Sequence, residues 1–514
     1  MAQPFLRGFP LYLLTFALSL GSFLMVLDYS IANVSLPYIA GDLAVSNNDG
    51  TWVITMFAIG NAIVLPMSGW LANQFGSVRV MVGSTALFTL ASWLCAASFS
   101  FPMLVLMRFL QGVVSGPMLP MSQSLLLLNH PPESRKQALA FWQTIIVVGP
   151  IIGPILGGWI CQDSVWPWIF YINLPVGTFC FLIVFFLLKN RETSLDKQHL
   201  DWTGFALLCF AIIPLQIFLD RGEQYDWFHS KIIVFLAVVA AVSFIALIWR
   251  EWNHPKPLID LKLFKIKTFA AMTFALAVSY MLFFSAVVLT PLWLQTRMGY
   301  DSLNAGLVVA PMGIVSACTS MLIERTMVKV GEKPLLFLSF IFFASVFFYT
   351  ATFTTDVSFE KISLSRFFLG IAIAFYVIPL FTLSVKDIPR DKLSMASGIF
   401  FFFRSVASAV GTSLFVYFWD RRSIFYHSRL IESTTPYNDL TNEAFSLFEH
   451  LEMPKEAARE QLNILLDQQA YMLGLNDIFY LMGWCYLGLA LLLLFLKTKQ
   501  LNGEGALHKK TAFE

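Results

Sequence analysis

Charged residues are scarce in this sequence, and their scarcity excludes a soluble globular protein. Asp, Glu, Lys and Arg make up 13% of the 514 residues, whereas hydrophobic residues make up 57%. Soluble domains carry about 25% charged residues. Apolar runs of about 20 residues, the length that crosses the hydrocarbon core of a bilayer, recur throughout the chain. The composition therefore predicts an all-α polytopic membrane protein.

Cysteine and histidine are also few, and the motifs of several protein classes are missing. The six cysteines lie in or beside apolar segments without paired spacing, which argues against a disulfide or metal framework. We find no nucleotide-binding Gly-x-x-x-x-Gly-Lys-[Ser/Thr] loop and no hydrolase or metalloprotease motif. The sequence thus predicts neither an enzyme nor a nucleotide-driven pump, and no metal or cofactor. Its net charge of +2, without a basic stripe, predicts no nucleic-acid partner.

The sequence does contain a long series of apolar segments. A window of about 19 residues predicts fourteen transmembrane helices, at residues 11–36, 52–72, 79–99, 103–127, 138–160, 168–188, 203–219, 231–249, 268–294, 304–323, 334–353, 365–385, 393–418 and 478–496. An even number places both termini on one side. Loops on that side carry 22 of the 34 Lys and Arg residues, against nine in the opposite loops. Because cytoplasmic loops are enriched in these residues, both termini are predicted to be cytoplasmic.

The predicted helices group into three parts. Residues 1–188 are predicted to form an N-terminal six-helix bundle, and residues 268–514 a C-terminal six-helix bundle. Between them, residues 189–267 form a linker with two inserted transmembrane helices and a basic amphipathic segment at the cytoplasmic face. The C-terminal part also includes an exported loop at 420–476 and a cytoplasmic tail. A helix predicted to open at Pro454 makes this loop either a solvated helical hairpin or a docking surface.

The two predicted bundles share a local pattern. The run from Arg108 to Pro120 in the fourth span is echoed by the run from Arg366 to Pro379 in the twelfth, since each begins with Arg-Phe and continues with a glycine and a proline. Duplicated halves of six spans are typical of secondary transporters.

Asp28 is the one acidic residue inside the predicted spans. Intramembrane charges are costly and are therefore candidates for function. Burial raises the pKa of a carboxyl group and a nearby cation lowers it, so a site that alternates between these environments can bind and release a proton. The alternative is a structural aspartate that is hydrogen-bonded to a neighbouring helix.

Arg108 is the predicted partner of Asp28. With Gln111 one turn further along the fourth span, it forms a polar helix face, although an arginine that extends to the outer surface is the alternative. Asn33, Arg366 and Arg404 are, like Gln111, candidates for residues that line a cavity or act in gating.

The fifth predicted span contains an unusual run of small and helix-breaking residues: Gly149, Pro150, Gly153, Pro154, Gly157 and Gly158. Three of the glycines recur every four residues, which predicts a smooth face for a closely packed helix. The two prolines permit a kink. Two explanations are open: the pattern serves helix packing alone, or it belongs to a helix that slides or flexes.

Four segments resemble the motifs of one family. Residues 27–37 resemble its first-helix motif, 108–116 its Arg-x-x-Gln-Gly motif, 149–158 its antiporter motif, and 166–177 its Trp-Arg-Trp-Ile-Phe signature. The chain is similar, essentially end to end, to the fourteen-span drug–proton antiporters of the EmrB/QacA type in the major facilitator superfamily, and most of all to their EmrB branch. This resemblance implies the fold of that superfamily, with two six-helix bundles and two inserted helices.

The resemblance also implies roles for particular residues. Asp28 would link proton and substrate, Arg108 would tune it, and the glycines of span five would form the bending interface between the halves. Spans one to six and nine to fourteen would be the two rocking bundles. The family further implies a bacterial inner membrane, a periplasmic adaptor and an outer-membrane channel.

The loop after the second span departs from the superfamily pattern. The motif usually has an acid and a base where this chain has Asn73 and Gln74, although Gly69, Gly76 and Arg79 fit it. A charge relay at the cytoplasmic gate would here be reduced to neutral hydrogen bonds.

These observations together predict a proton-coupled antiporter that exports lipophilic or amphipathic small molecules by alternating access, as in multidrug efflux and antibiotic resistance. One alternative is an exporter of a single metabolite or siderophore on the same scaffold. A second is a membrane protein for assembly or sensing that transports nothing.

Overall fold

The computed structural model describes residues 6–193, 195, 199–222, 224–255, 257–389, 392–435 and 437–495, and the secondary structure of these residues is entirely helical. The helices are α1 (Phe9–Asp42), α2 (Asn47–Gly50), α3 (Trp52–Val64), α4 (Ser68–Phe75), α5 (Ser77–Ala96), α6 (Phe101–Ser115), α7 (Met118–Asn129), α8 (Arg135–Asp163), α9 (Trp168–Tyr171), α10 (Asn173–Leu188), α11 (Trp202–Arg221), α12 (Lys231–Asn253), α13 (Lys267–Arg297), α14 (Ser302–Val330), α15 (Glu332–Thr350), α16 (Phe359–Val385), α17 (Leu393–Ser433), α18 (Asp439–His450) and α19 (Lys455–Phe495). Three short 3-10 turns complete them, at Leu65–Met67, Trp227–His229 and Leu261–Lys265.

Each predicted span coincides with one helix or with a pair of consecutive helices. Over the described residues, twelve of these units are long and apolar enough to cross a bilayer, including the pairs α3–α4, α6–α7 and α9–α10. Helix α8 adds a thirteenth that is bent by 44°, and α14 contains a shorter apolar helix at Asn304–Ser320. The chain is therefore an all-α, multi-pass membrane protein.

The same three helix pairings occur in the N-terminal and the C-terminal parts of the chain. In the first part, three pairs of helices pack against each other: α1 with α8, α3 with α6, and α5 with α10. The helices at the same positions in the span order of the second part form the same three pairs: α13 with α17, α14 with α16, and α15 with α19. This repetition is what a duplicated six-helix unit predicts.

The inserted pair, α11 and α12, lies beside these bundles. Helix α11 contacts α3 on one side and α17 on the other, whereas α12 exposes large apolar side chains such as Phe235 and Ile245. Between α11 and α12, Arg250 Nη2 lies 2.6 Å from Asp201 Oδ1. The Arg250 guanidinium holds the pKa of the Asp201 carboxyl below its usual range, and the Gly204 N–H, which Asp201 caps, acts in the same direction.

The segment at 420–476, predicted as a loop with a helix that opens at Pro454, is mostly helix. Helices α17 and α19 are each 41 residues long and continue well beyond the predicted spans. The short helix α18 connects them, and α19 begins at Lys455, directly after Pro454, as predicted. Hydropathy falls where a helix leaves the bilayer, but the helix itself need not end there, and this explains the difference. The predicted cytoplasmic tail lies outside the described residues.

The root of this outer hairpin, formed by α17, α18 and α19 between Asp420 and Asn476, is bonded to the C-terminal bundle. Arg297 Nη1 on α13 lies 2.5 Å from Asp467 Oδ2 on α19. The Gln469 amide donates to the Thr355 hydroxyl at 2.6 Å, and the Asn476 amide donates to the Phe353 carbonyl at 2.8 Å. The hairpin is thus a continuation of that bundle.

At the opposite end of the molecule, the two bundles touch. A Cβ atom at Gly69, on α4, would lie 2.7 Å from the Met395 Cβ on α17, and one at Gly398 would lie 3.4 Å from the Ser68 Cβ. The apolar contact continues inward, where the rings of Trp142 and Phe401 pack edge to face. By the predicted topology this closed end is the cytoplasmic one.

Candidate functional site

A buried ion pair lies inside the N-terminal bundle. Arg108 Nη1 on α6 lies 2.5 Å from Asp28 Oδ2 on α1, and neither side chain is exposed (0%). Arg108 Nε donates to the Val53 carbonyl at 3.0 Å. The guanidinium carbon lies 4.4 Å from the centre of the Phe57 ring, an arrangement in which the ring face attracts the cation.

Two amides complete the surroundings of Asp28. Gln111 Nε2 donates to Asp28 Oδ1 at 3.0 Å, and Asn173 Nδ2 donates to the same oxygen at 2.8 Å. Both amides also donate to the hydroxyl of Ser92 on α5, at 2.8 and 3.3 Å. Among the described residues, every hydrogen-bonding neighbour of the Asp28 carboxyl group is a donor, so in this geometry the group acts only as an acceptor.

Close helix packing brings these side chains together. Gly112 allows the backbone of α6 to contact that of α3 at Phe57, since a Cβ atom there would overlap the Phe57 carbonyl. This approach places Arg108 within reach of Val53. Asn173 is the first residue of α10, so its side chain points into the bundle just where the chain re-enters it.

Sequence reasoning found Asp28, Arg108 and Gln111 but missed Asn173 and Ser92. Asn173 belongs to the segment 166–177, which served only as a family signature. An amide inside an apolar segment was the available signal, because such groups need a partner in the membrane. Ser92 gave no signal, since serine is common in membrane helices.

The glycine face of α8 packs directly against the helix that carries Asp28. A Cβ atom at Gly153 would lie 2.5 Å from Ser30 Oγ and 3.1 Å from the Ile31 backbone nitrogen. At Gly157 it would lie 3.0 Å from the Ile31 carbonyl oxygen, and at Gly149 3.0 Å from Val26 Cγ1. A Cβ atom at Gly158 would meet nothing within 4 Å. The predicted smooth face is therefore present, and α1 covers it.

The bend in α8 falls at the two prolines. Pro154 has no N–H to donate to the carbonyl of Pro150, and the hydroxyl of Ser30 on α1 donates to that carbonyl instead, at 3.3 Å. The side chain of Pro154 lies outside the described residues.

These glycines do not face the other half of the molecule, which corrects the position that the resemblance implied. Their partner α1 belongs to the same bundle. Helix α8 meets the C-terminal bundle at α14, where a Cβ atom at Gly306 would lie 3.7 Å from Ile155 Cγ1.

A family model described as Major Facilitator Superfamily matches residues 18–412. The chain belongs to this superfamily. It is 40% identical over 495 residues to the multidrug export protein EmrB of Haemophilus influenzae, covering 96% of this chain and 97% of the relative. It is 37% identical over 482 residues to the fatty acid resistance protein FarB of Neisseria gonorrhoeae, covering 93% and 94%. The human organic anion transporter MFSD10 has the same fold, with a TM-score of 0.59 at 15% identity, covering 94% of this chain and 100% of that one.

Membership of the major facilitator superfamily makes the chain a transporter and not an enzyme.

Arg366, the counterpart of Arg108 in the C-terminal bundle, is equally buried but has different partners. Its guanidinium donates to the hydroxyls of Ser365, Thr290 and Thr350 at 3.1 to 3.2 Å, and no described residue forms an ion pair with it. In this chain the arginine of the N-terminal bundle, Arg108, is therefore paired with a carboxylate, whereas its counterpart Arg366 in the C-terminal bundle is bonded to neutral hydroxyl groups.

Two further candidates lie apart from the buried pair. Asn33 is exposed on α1, and its amide donates to the Tyr29 carbonyl one turn back, at 3.2 Å. Arg404 on α17 is partly buried between the rings of Tyr280 and Phe401, at 5.1 and 4.7 Å. Arg404 therefore lies within the C-terminal bundle, and Asn33 lies on an exposed face of α1.

The acidic group that the loop after the second span lacks is supplied by Glu192 of the linker. Its carboxylate accepts hydrogen bonds from the backbone N–H groups of Val78 and Arg79 at 2.9 and 3.0 Å. It thereby caps the N-terminus of α5, and the guanidinium of Arg79 lies 3.9 Å away. Gly76, with a φ of +93°, has the backbone conformation that favours glycine and leaves room for Glu192. Asn73 is partly buried on α4. A charged contact is thus present, which the loop sequence alone did not predict.

Proposed function

We propose that this transporter is a proton-coupled antiporter that exports lipophilic or amphipathic small molecules, as in multidrug efflux. The relatives named for multidrug export and fatty acid resistance support this substrate class. We further propose that it lies in a bacterial inner membrane with both termini in the cytoplasm, and that it works with a periplasmic adaptor and an outer-membrane channel.

The observation that carries the proposal is the set of donors around Asp28. A protonated Asp28 needs an acceptor for its own hydrogen, yet its two oxygens face Arg108, Gln111 and Asn173, which all donate. Protonation must therefore displace at least one of them. Displacing Arg108 leaves a buried cation without its partner, which costs about 3–5 kcal/mol. If the bond that breaks is the ion pair, proton binding would be linked to a helix rearrangement.

The cycle follows from this link. A proton from outside neutralises Asp28, the N-terminal bundle (1–188) and the C-terminal bundle (268–514) rock apart at the other end, and proton release to the cytoplasm restores the ion pair. Helix α8, bent and closely packed on α1, is placed to transmit the change. One charge that crosses 100 mV supplies about 2.3 kcal/mol, roughly a fiftyfold substrate gradient.

The test uses inside-out vesicles with an acidic lumen. Addition of a lipophilic compound to the wild-type vesicles is expected to collapse the pH gradient, and Asp28→Asn is expected to abolish this effect. Asp163→Asn removes an exposed carboxylate at the end of α8 and serves as the matched control. Equal responses from the wild type and Asp28→Asn would refute the assignment of Asp28.

A further inference from the structure

The two bundles meet along a seam, and apolar side chains of α8 help to close its cytoplasmic half. Leu139 of α8 is buried within the apolar cluster of the C-terminal bundle. Ala140 shares a second buried cluster with Ile323 of α14 and Ala374 of α16. Because both residues pack on helices of the other bundle, this part of α8 faces the seam.

Gln143 lies on the same face of α8 as these two apolar residues. Residues three and four positions apart are neighbours on a helix surface, so Gln143 follows Leu139 and Ala140 one turn further along and faces the C-terminal bundle with them. The Gln143 side chain is buried, with 6% of its surface exposed. Its carbonyl oxygen, Oε1, is inaccessible to solvent and has no hydrogen-bond partner among the described residues.

Two more oxygens without a hydrogen bond lie beside the same part of the seam. Gln123 Oε1 of α7 is buried and has no partner in the described part of the chain. The adjacent hydroxyl of Ser122 accepts a hydrogen bond from Trp142 Nε1 at 3.0 Å. In the C-terminal bundle, the buried Ser397 hydroxyl of α17 likewise lacks a partner among the residues described. It lies one turn before Phe401, whose ring packs on that of Trp142.

These enclosed oxygens oppose closure of the seam. A buried acceptor without a partner has lost its hydrogen bond to water and gained none in the protein, which is destabilising. When the seam opens to the cytoplasm, water reaches the oxygens and bonds to them again. An interaction that differs between two states shifts the equilibrium between them. The oxygens therefore favour the form that is open to the cytoplasm over the closed form.

We propose that Gln143, with Gln123 and Ser397, shifts the conformational equilibrium of the substrate-free transporter toward the form that is open to the cytoplasm. This is the side on which an exporter takes up its substrate. The inference rests on the alternating access of the proposed function and deepens it, because it names uncharged residues, apart from the Asp28–Arg108 pair, that determine which end opens more readily.

The test measures hydrogen–deuterium exchange by mass spectrometry on the purified full-length protein in lipid nanodiscs, without substrate. Gln143→Met keeps the side-chain volume nearly constant and removes the amide. We expect exchange in the cytoplasmic peptides 65–75 and 395–403 to slow at least about fivefold. Exchange in the outer peptides 34–46 and 292–301 should become faster, because the outer end opens as the cytoplasmic end closes.

The opposite changes at the two ends separate this role from a purely structural one, since a gain in stability alone would slow exchange at both ends. Gln123→Met is expected to shift exchange in the same directions and provides a second variant should Gln143→Met fail to fold. Gln162, an exposed glutamine near the outer end of α8, provides the matched control as Gln162→Met, which should exchange like the wild type. Gln143→Asn keeps an amide in the seam and should stay within about twofold of the wild type.

Two outcomes would overturn the proposal: cytoplasmic peptides that exchange at the wild-type rate in both methionine variants, or exchange that slows at both ends. The measurement needs neither a proton gradient nor a substrate. Opposite changes at the two ends, in a protein that releases no protons in the vesicle assay, would refute the proposed antiport and support the role of Gln143.

Discussion

Asn173 is the residue whose contribution is easiest to isolate, because its amide bonds to the buried carboxylate from a helix that supplies no charge. A hydrogen bond to a charged group contributes about 1.5–3 kcal/mol. We expect Asn173→Ala to lower proton-coupled exchange between tenfold and a hundredfold while the protein still folds, as judged by gel filtration. The measurement is the initial rate of substrate-induced proton release in inside-out vesicles.

Asn33→Ala is the matched control for this prediction. Its amide bonds only to a backbone carbonyl of its own helix, so it should retain the wild-type rate. Equal rates for Asn173→Ala and the wild type would show that the Asp28 site needs no second amide.

His130 gives a prediction about pH, since it lies just outside the membrane-spanning helices. It is buried, with Nε2 3.1 Å from the Thr15 hydroxyl and Nδ1 3.0 Å from the Leu126 carbonyl. Burial lowers the pKa of this imidazole below 6.5, and the charge of Arg135 lowers it further. The unfolded state therefore binds the proton more tightly, so the stability that neutral His130 contributes is lost as the pH falls below about 6.5.

We expect the thermal unfolding temperature of the wild type to fall between pH 7.5 and pH 5.5 by more than that of His130→Gln. His427, which is partly exposed on the outer hairpin, provides the control as His427→Gln. An identical pH dependence in all three proteins would contradict this prediction.

Of the residues around Asp28, the sequence predicted Arg108 and Gln111 but not the other two uncharged residues, Asn173 and Ser92. An aspartate and an arginine within apolar runs are conspicuous because the membrane makes them costly. Amides and hydroxyls cost less, so Asn173 and Ser92 were indistinguishable from the many polar residues that bond to their own helix, as Asn33 does.

Among the elements, α1 and α8 pack closely beside the site. Gly153→Ala would place a methyl group 2.5 Å from Ser30 Oγ and close to the backbone of α1, so the two helices must separate. We expect the free energy of unfolding to fall by about 1–3 kcal/mol, measured by thermal unfolding. We also expect a large loss of transport, measured in the vesicle assay.

Gly158→Ala is the control on the same helix, because its added methyl group would meet nothing within 4 Å. It should be neutral or slightly stabilising, since alanine favours a helix over glycine by about 1 kcal/mol. If both variants behaved alike, the close approach of α1 would have no functional role.

The ends of the helices were predicted well only where the apolar run and the helix end at the same residues. The glycine spacing of span five predicted a packed face correctly but did not identify which helix covers it. The outer hairpin was missed as continuous helix because its polar side chains resemble a loop on a hydropathy scale, whereas nothing in α17 breaks a helix between its apolar and polar parts.

For the whole molecule, alternating access requires that the closed end between α4 and α17 opens. A double variant, Ser68→Cys with Gly398→Cys, places two Cβ atoms 3.4 Å apart, close to the separation of about 3.5–4.5 Å found in disulfides. Oxidation is expected to stop transport and reduction to restore it. Each single variant, treated with the same oxidant, should keep the rate that it has before treatment. These rates are the reference, because a side chain at position 398 would also lie 3.0 Å from the Leu65 carbonyl oxygen.

Transport by the oxidised double variant at the wild-type rate would show that this contact does not separate during the cycle. The sequence predicted two bundles and the sidedness of their loops. It did not predict which helices touch, because residues such as Gly69 and Met395 are 326 positions apart and carry no complementary charge.

The outer hairpin has a mechanical consequence. Its root is bonded to the C-terminal bundle through Asp467, Gln469 and Asn476, so it cannot stay still while that bundle rotates. Helix α17 extends about 15 residues past its predicted span, roughly 20 Å. A tilt of the bundle by 10° would therefore sweep the hairpin tip through about 3–4 Å. The position of the hairpin tip would therefore change with the direction in which the transport path is open, and it would do so at the end of the molecule opposite the contact between α4 and α17.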